Sequence, residues 1–351
     1  MELHMSLQTV SLKQATEFCF QTLKANLVPY LAGSPGVGKS AVAHQLAKKF
    51  NLKLIDIRLS QEDPTVLNGF PELKDGRSSY APPKRFPLTD DAVPKGYSGW
   101  LIFFDELPSA PRSVQAAAYK IILDRLIGEN ELHPKVRMMA AGNLATDNAI
   151  VNEMGTALRS RMVHIHVATN TDNWLDYAAK TGFDTRVVSY LGYQSSKINN
   201  FKQFEGSSDE TFACERTWEF VSKILKANYP DQAKPIPQDV ATLLAGTVGS
   251  SAYEFVTYTE AFKDLPTLQD VLNNPHACPL PNQPAVRYLM TGMLVGNATM
   301  ENADTIGQYV ERFPKEFAMI FVKMLWGKSD KFLNIKSIDR LLNSVADILV
   351  N

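Results

Sequence analysis

The sequence predicts an α/β protein: a parallel sheet covered by helices in the first half, and a mainly helical second half. Three observations carry this. Short β-like runs alternate with helical patterns up to about residue 170. One run, Trp100 to Phe104, is wholly apolar, as a strand covered on both faces must be. Beyond Thr171 the β signals thin out and apolar residues return at helical intervals. A chain of 351 residues has room for two or three domains with full cores, which excludes a disordered or fibrous protein.

In chain order, Leu27 to Ala32 is an apolar run ending at a glycine, and Val42, Leu46 and Phe50 then recur every four residues, so Ser40 to Phe50 reads as a helix with one buried face. Leu52 to Ile57, Trp100 to Phe104, Val136 to Ala141 and Met162 to Val167 supply further strands, giving at least five before residue 170. In the second half, helical periodicity covers Thr217 to Ala227, Gln283 to Leu294, Asp304 to Trp326 and Ile335 to Val350. Gly206, Ser207, Ser208 and Asp209 form a polar break, and Pro275 to Pro284 forms another.

The 36 basic and 37 acidic residues nearly cancel, to a net charge of -1, so the long-range attraction of a dedicated nucleic-acid or acidic-membrane binder is missing. Nucleic acid is unsupported as a partner. Cys19, Cys214 and Cys278 are too few and too scattered for a disulfide framework, which points to a reducing compartment. No apolar run reaches the roughly 20 residues of a membrane span, and Met1 to Val10 lacks a secretory pattern. A cytoplasmic protein without a membrane span is expected.

The chemistry starts at the first strand's end. Gly33, Ser34, Pro35, Gly36, Val37, Gly38, Lys39 and Ser40 fit GxxxxGK[ST] between an apolar strand and a helix, with Ala41 inside that helix. Glycines let backbone N–H groups turn toward phosphates, and the helix N-terminus adds partial positive charge. Lys39 is expected on the β- and γ-phosphates of a triphosphate, and Ser40 on magnesium. Trp100 to Phe104 runs into Asp105 and Glu106, which places a carboxylate at a strand C-terminus, where ligands of open α/β sheets bind. Asp105 can hold Mg2+ there through water, and Glu106 can polarise an attacking water. Asn143, after Ala140-Ala141-Gly142, suits a residue that positions that water; alone it is a turn residue. Arg159 and Arg161 precede the fifth strand, and Arg161 suits an arginine finger supplied to a neighbouring subunit.

This order of signals resembles the AAA+ ATPases. Two segments, Arg58-Leu-Ser-Gln-Glu-Asp-Pro-Thr-Val-Leu-Asn-Gly-Phe-Pro and Asp105-Glu-Leu-Pro-Ser-Ala-Pro-Arg-Ser-Val-Gln-Ala, look like the MoxR branch, with its helix-2 insert and its segment after the acids. The core resemblance spans about residues 8 to 170, and a weaker one continues to about 265. It implies a P-loop parallel-sheet domain over 1–170, a helical lid over 171–265 and a C-terminal helical extension over 266–351.

The resemblance further makes Glu106 the catalytic base, Asn143 the sensor 1 residue and Arg161 the finger, with Met162 where relatives have Phe. Cys214-Glu-Arg216-Thr-Trp-Glu is similar to the segment carrying the sensor 2 arginine, although Glu215 replaces the usual proline. Independently, a cation in a helix's first turn opposes the helix dipole, so Arg216 suits an anionic partner. Residues 58–72 and 126–135 are implied as partner contacts. A homo-oligomer, a ring of six, is implied, with a protein client that carries a von Willebrand factor A domain. A DNA-directed motor or loader, and a nucleotide-gated binding module with slow turnover, remain open. His164 and His166 alternate on one strand face without a third metal ligand, and Tyr253, Phe255, Tyr258 and Phe262 read as core.

Overall fold

The computed structural model describes residues 8–144, 154–168, 170–204 and 210–349; the break expected at Gly206 to Asp209 lies outside them. The chain forms two compact units, Met1–Thr169 and Asn170–Asn351.

In the first unit, α1 (Leu12–Lys24) opens with a capping box between Ser11 and Gln14 and leads into β1 (Val28–Gly33) and α2 (Lys39–Lys49). There follow β2 (Leu52–Arg58), α3 (Pro64–Asn68), a hairpin of β3 (Phe70–Lys74) and β4 (Arg77–Ala81), β5 (Gly99–Asp105) and α4 (Arg112–Asp124). A second small hairpin, β6 (Leu126–Ile127) and β7 (Asn130–Glu131), precedes β8 (Val136–Gly142), α5 (Thr156–Arg159) and β9 (Met162–Val167).

The strands β2-β5-β8-β1-β9 make one parallel sheet in that order, the five strands the sequence predicts. This is the α/β architecture the sequence predicts, a parallel sheet with helices on both faces. Side chains of β5 explain the wholly apolar run: Leu101 and Phe103 pack with Val42 and Leu46 of α2, while Ile102 and Phe104 pack on the other face with Val114 and Ile121 of α4. The chain leaves β1 for the far edge at β2 and returns through β5 and β8 to β1's side. A crevice at such a reversal lies beyond the strands' C-terminal ends.

The second unit is helical: α6 (Thr171–Lys180), α7 (Thr185–Tyr193), α8 (Phe201–Phe204), α9 (Glu215–Asn228), α10 (Val240–Val248), α11 (Ser251–Thr259), α12 (Leu268–Asn273), α13 (Pro284–Asn297), α14 (Ala303–Val310), α15 (Lys315–Lys328) and α16 (Lys336–Leu349). One buried cluster runs through it, including Trp174, Trp218, Phe255, Leu294, Phe321 and Val345. Two details differ from the periodicity. The single helix expected over Asp304 to Trp326 is two, because Pro314 bars helical backbone at Phe313 and instead caps the start of α15. Tyr253 is 51% exposed rather than core: the buried stripe of α11 is Ala252, Phe255, Val256 and Thr259, and Tyr253 points off it.

A buried charged clamp organises this unit. The Arg186 guanidinium, 1% exposed, donates to both Asp184 carboxylate oxygens at 2.9 and 2.8 Å and to the carbonyls of Tyr229, Asp231 and Lys234. It thereby joins the start of α7 to the loop leaving α9. Arg186→Ala strands a buried carboxylate and three carbonyls, so a loss of about 3–5 kcal/mol is expected in a denaturant series followed by tryptophan fluorescence. A loss below about 1 kcal/mol would show the clamp to be idle.

Candidate active site

Each piece of the site is delivered by a strand end. β1 ends at Gly33, where a Cβ would stand 2.9 Å from the Val167 carbonyl of β9, so the strands approach too closely for a side chain. In the loop after it, Gly36 (φ 86°) and Gly38 (φ 93°) hold left-handed backbone that only glycine adopts without strain. Gly38 is also the N-cap of α2 and supplies no capping side chain, so the helix end receives none from its own cap residue.

Lys39, 8% exposed, folds back over the loop. Its Nζ donates to the carbonyls of Gly33 (2.5 Å) and Ser34 (3.0 Å) and to Asn143 Oδ1 (3.0 Å). Asn143 lies just beyond β8, the strand between β1 and β5, so sheet order alone sets it between the glycine loop and the two acids. Ser40 Oγ donates to Asp105 Oδ2 at 2.8 Å. One strand over, burial and then the Asp105 charge push the Asp56 carboxyl above its ordinary range, opposed by His44 and Arg58.

Glu106 departs from regular backbone, at φ 57° and ψ 32°, and caps the short turn Leu107–Ser109. From this left-handed step its side chain reaches the end of β2. There Ser60 Oγ donates to Glu106 Oε2, and Arg58 Nε stands 3.6 Å from Oε1. These two partners were not identified from sequence. The Arg58 to Asp105 register reveals them, and that requires knowing that β2 pairs with β5.

The structure thus brings together Lys39, Ser40, Asp105 and Asn143, with Glu106 adjoining Asp105. Pro35 is half-buried, Val37 is buried in the loop, and Ala41 is exposed on α2. Arg161 is not among them. Val28 pairs with Met162 and Gly33 with Val167, so exposed Arg161 stands at the sheet end opposite the loop, roughly 16 Å away along β1. Arg216 belongs to the second unit, exposed in the first turn of α9; Glu215 is engaged by Asn199 and Glu219 by Lys223. His164 Nε2 lies 2.8 Å from the Arg159 carbonyl, at the end of α5, with its ring against Tyr30. No helix among the described residues is long and apolar enough to cross a membrane.

Residues 30–162 match the family model of the AAA domain, dynein-related subfamily. No curated protein matches the chain. Among solved structures, NtrX from Brucella abortus is similar at 14% identity, covering 97% of this chain and 69% of that one, with a TM-score of 0.36. A presumed ATPase from Cytophaga hutchinsonii is similar at 14% identity, 95% and 90% coverage and a TM-score of 0.35. NtrX in complex with ADP gives 15% identity, 97% and 70% coverage and a TM-score of 0.35.

Proposed function

We propose, from the premise that residues 30–162 carry an AAA domain, that this site hydrolyses ATP. The reading rests on one observation: a hydroxyl and a carboxylate 65 positions apart in the chain, Ser40 and Asp105, meet at 2.8 Å beside the buried Lys39 ammonium. Hard oxygen donors of this kind suit magnesium, and the glycine loop leading into α2 suits phosphates. The residues present fit both. Ser40 and Asp105 would hold Mg2+, which when bound neutralises charge on the phosphate oxygens.

This chain's groups then divide the work. Lys39, already directed into the loop, binds the β- and γ-phosphates. Asn143 orients the attacking water, and Glu106 polarises it and takes its proton. Ser60 and Arg58 fix the Glu106 carboxylate, acting as positioning residues. Arg161, at the wrong end of the sheet to serve its own loop, serves a neighbour's, which calls for a ring, six subunits on the MoxR-like reading. Arg216, an exposed cation in a first helical turn, fits an anionic partner. Residues 171–265 then act as the lid and 266–351 as an extension, in a cytoplasmic remodeller of a client bearing a von Willebrand factor A domain.

Residues 58–72 and 126–135 form one block that fits client contact: a Cβ on Gly128 would stand 2.6 Å from the Asn68 carbonyl and 3.1 Å from Tyr80 Cβ. Leu67 in this block is core, whereas Phe70 (66% exposed) and, one residue beyond the block, Leu73 (85% exposed) are open for a partner to cover. The double variant Phe70→Ser/Leu73→Ser is expected to keep basal Mg2+-dependent turnover within about twofold and to lose stimulation by such a client. Titrating ATPase against a von Willebrand factor A protein checks this. Unchanged stimulation removes the block from client contact, and tight salt-dependent duplex binding without stimulation makes the protein a DNA motor.

A further inference from the structure

Gly142 ends β8, immediately before Asn143, and its backbone is not in the left-handed region. Conformation therefore does not call for glycine there; space does. A Cβ at this position would stand 2.2 Å from Pro108 Cδ, 2.5 Å from Pro108 Cγ and 2.7 Å from Tyr30 Oη. Real carbon contacts need well over 3 Å, so a neighbour must move by roughly 1 Å. Neither is free to do so cheaply. Pro108 is a rigid ring, buried in the Leu107–Ser109 turn that Glu106 caps, and its carbonyl accepts from the buried Gln115 amide at 3.3 Å. Tyr30 is 3% exposed, on β1 between β8 and β9.

We propose that Gly142 is a positioning residue: its bare Cα lets the turn after Glu106 close against the end of β8, and this contact fixes the spacing between Glu106 and Asn143. The inference rests on the reading that those two residues act on the attacking water. An added methyl at 142 pushes the Pro108 turn outward, or Asn143 away from it. Either movement spoils the alignment of base and water while leaving the Lys39 loop, which hangs from β1, in place. The loss therefore belongs in kcat and not in nucleotide affinity.

The test is Gly142→Ala in the parent chain and again in a Pro108→Ala/Tyr30→Phe background, where all three close contacts, Pro108 Cγ and Cδ and Tyr30 Oη, are gone. In the parent, kcat is expected to fall up to about 100-fold, the effect of a misplacement near 1 Å, with the ATP dissociation constant within about threefold. In the Pro108→Ala/Tyr30→Phe background the same substitution is expected to cost less than about fivefold. Equal loss in both backgrounds, an unchanged kcat in the parent, or affinity falling in step with kcat each overturns the proposal. If Gly142→Ala does not fold, thermal unfolding becomes the readout: Pro108→Ala with Tyr30→Phe must restore a folded chain, and an unfolded triple variant overturns the proposal. Glu106→Gln, assayed in parallel, tests the underlying reading: full turnover there removes the base assignment, whereas a dead Glu106→Gln beside a normal Gly142→Ala removes the positioning role alone.

Discussion

Glu106→Gln is expected to bind ATP as the parent does and to turn it over about 10³-fold more slowly, while Lys39→Ala is expected to lose binding itself. The difference follows from what each side chain touches. The Lys39 ammonium reaches the carbonyls of Gly33 and Ser34 and the Asn143 amide oxygen, which places it in the loop proposed to take the phosphates. Removing it takes away a buried cation that would face that charge. Glu106 instead turns toward Ser60 and Arg58, outside the loop, and its amide preserves the shape and the Ser60 contact while giving up the basicity. Fluorescent-nucleotide titration beside steady-state phosphate release separates the two phenotypes. Normal turnover by Glu106→Gln would dismiss it as base, and normal affinity in Lys39→Ala would place the phosphates elsewhere.

Arg161→Ala is expected to lower kcat by about 10³-fold or more, the worth of an arginine finger, with nucleotide affinity little changed. Register makes the claim specific: Arg161 precedes Met162, which pairs with Val28, whereas the glycine loop follows Gly33 at the other end of the same strand. A side chain about 7 Å long does not span the sheet, so the finger role proposed for Arg161 requires a phosphate held by another subunit. Dilution should lower specific activity, and mixing Arg161→Ala with Lys39→Ala subunits should restore turnover at interfaces pairing an intact loop with an intact finger. No recovery in mixtures shown by native mass spectrometry to co-assemble removes the role in trans.

The sheet was legible because each strand is a short run of apolar residues with punctuation at its ends, and Asp105 and Glu106 stand out as the first charges after Trp100 to Phe104. The glycine loop was legible for the same local reason. What sequence hid was sideways proximity. Ser60 is an ordinary hydroxyl until β2 is known to flank β5, and Gly142 is an ordinary turn residue until Pro108 is known to lie against it. Asn143 shows both sides: its type suggested a role, but only the place of β8 between β1 and β5 explains its bond to Lys39, 104 positions away. The helix expected across Pro314 and the core place expected for Tyr253 failed because spacing reports repetition, not which face or which turn a residue occupies.

The order β2-β5-β8-β1-β9 has a consequence for a chain still being synthesised. The first strand to emerge has neighbours only in the fourth and fifth, so β1 and its glycine loop remain without a strand partner while β2 and β5 are already able to pair. Only when β8 has cleared the ribosome can Lys39 meet Asn143. Ligand stabilises only a state that binds it, so nucleotide gives the nascent chain no help until β8, Val136–Gly142, is out. Until then an apolar strand depends on α1 and α2 for cover, which makes this interval the natural point of engagement for folding helpers.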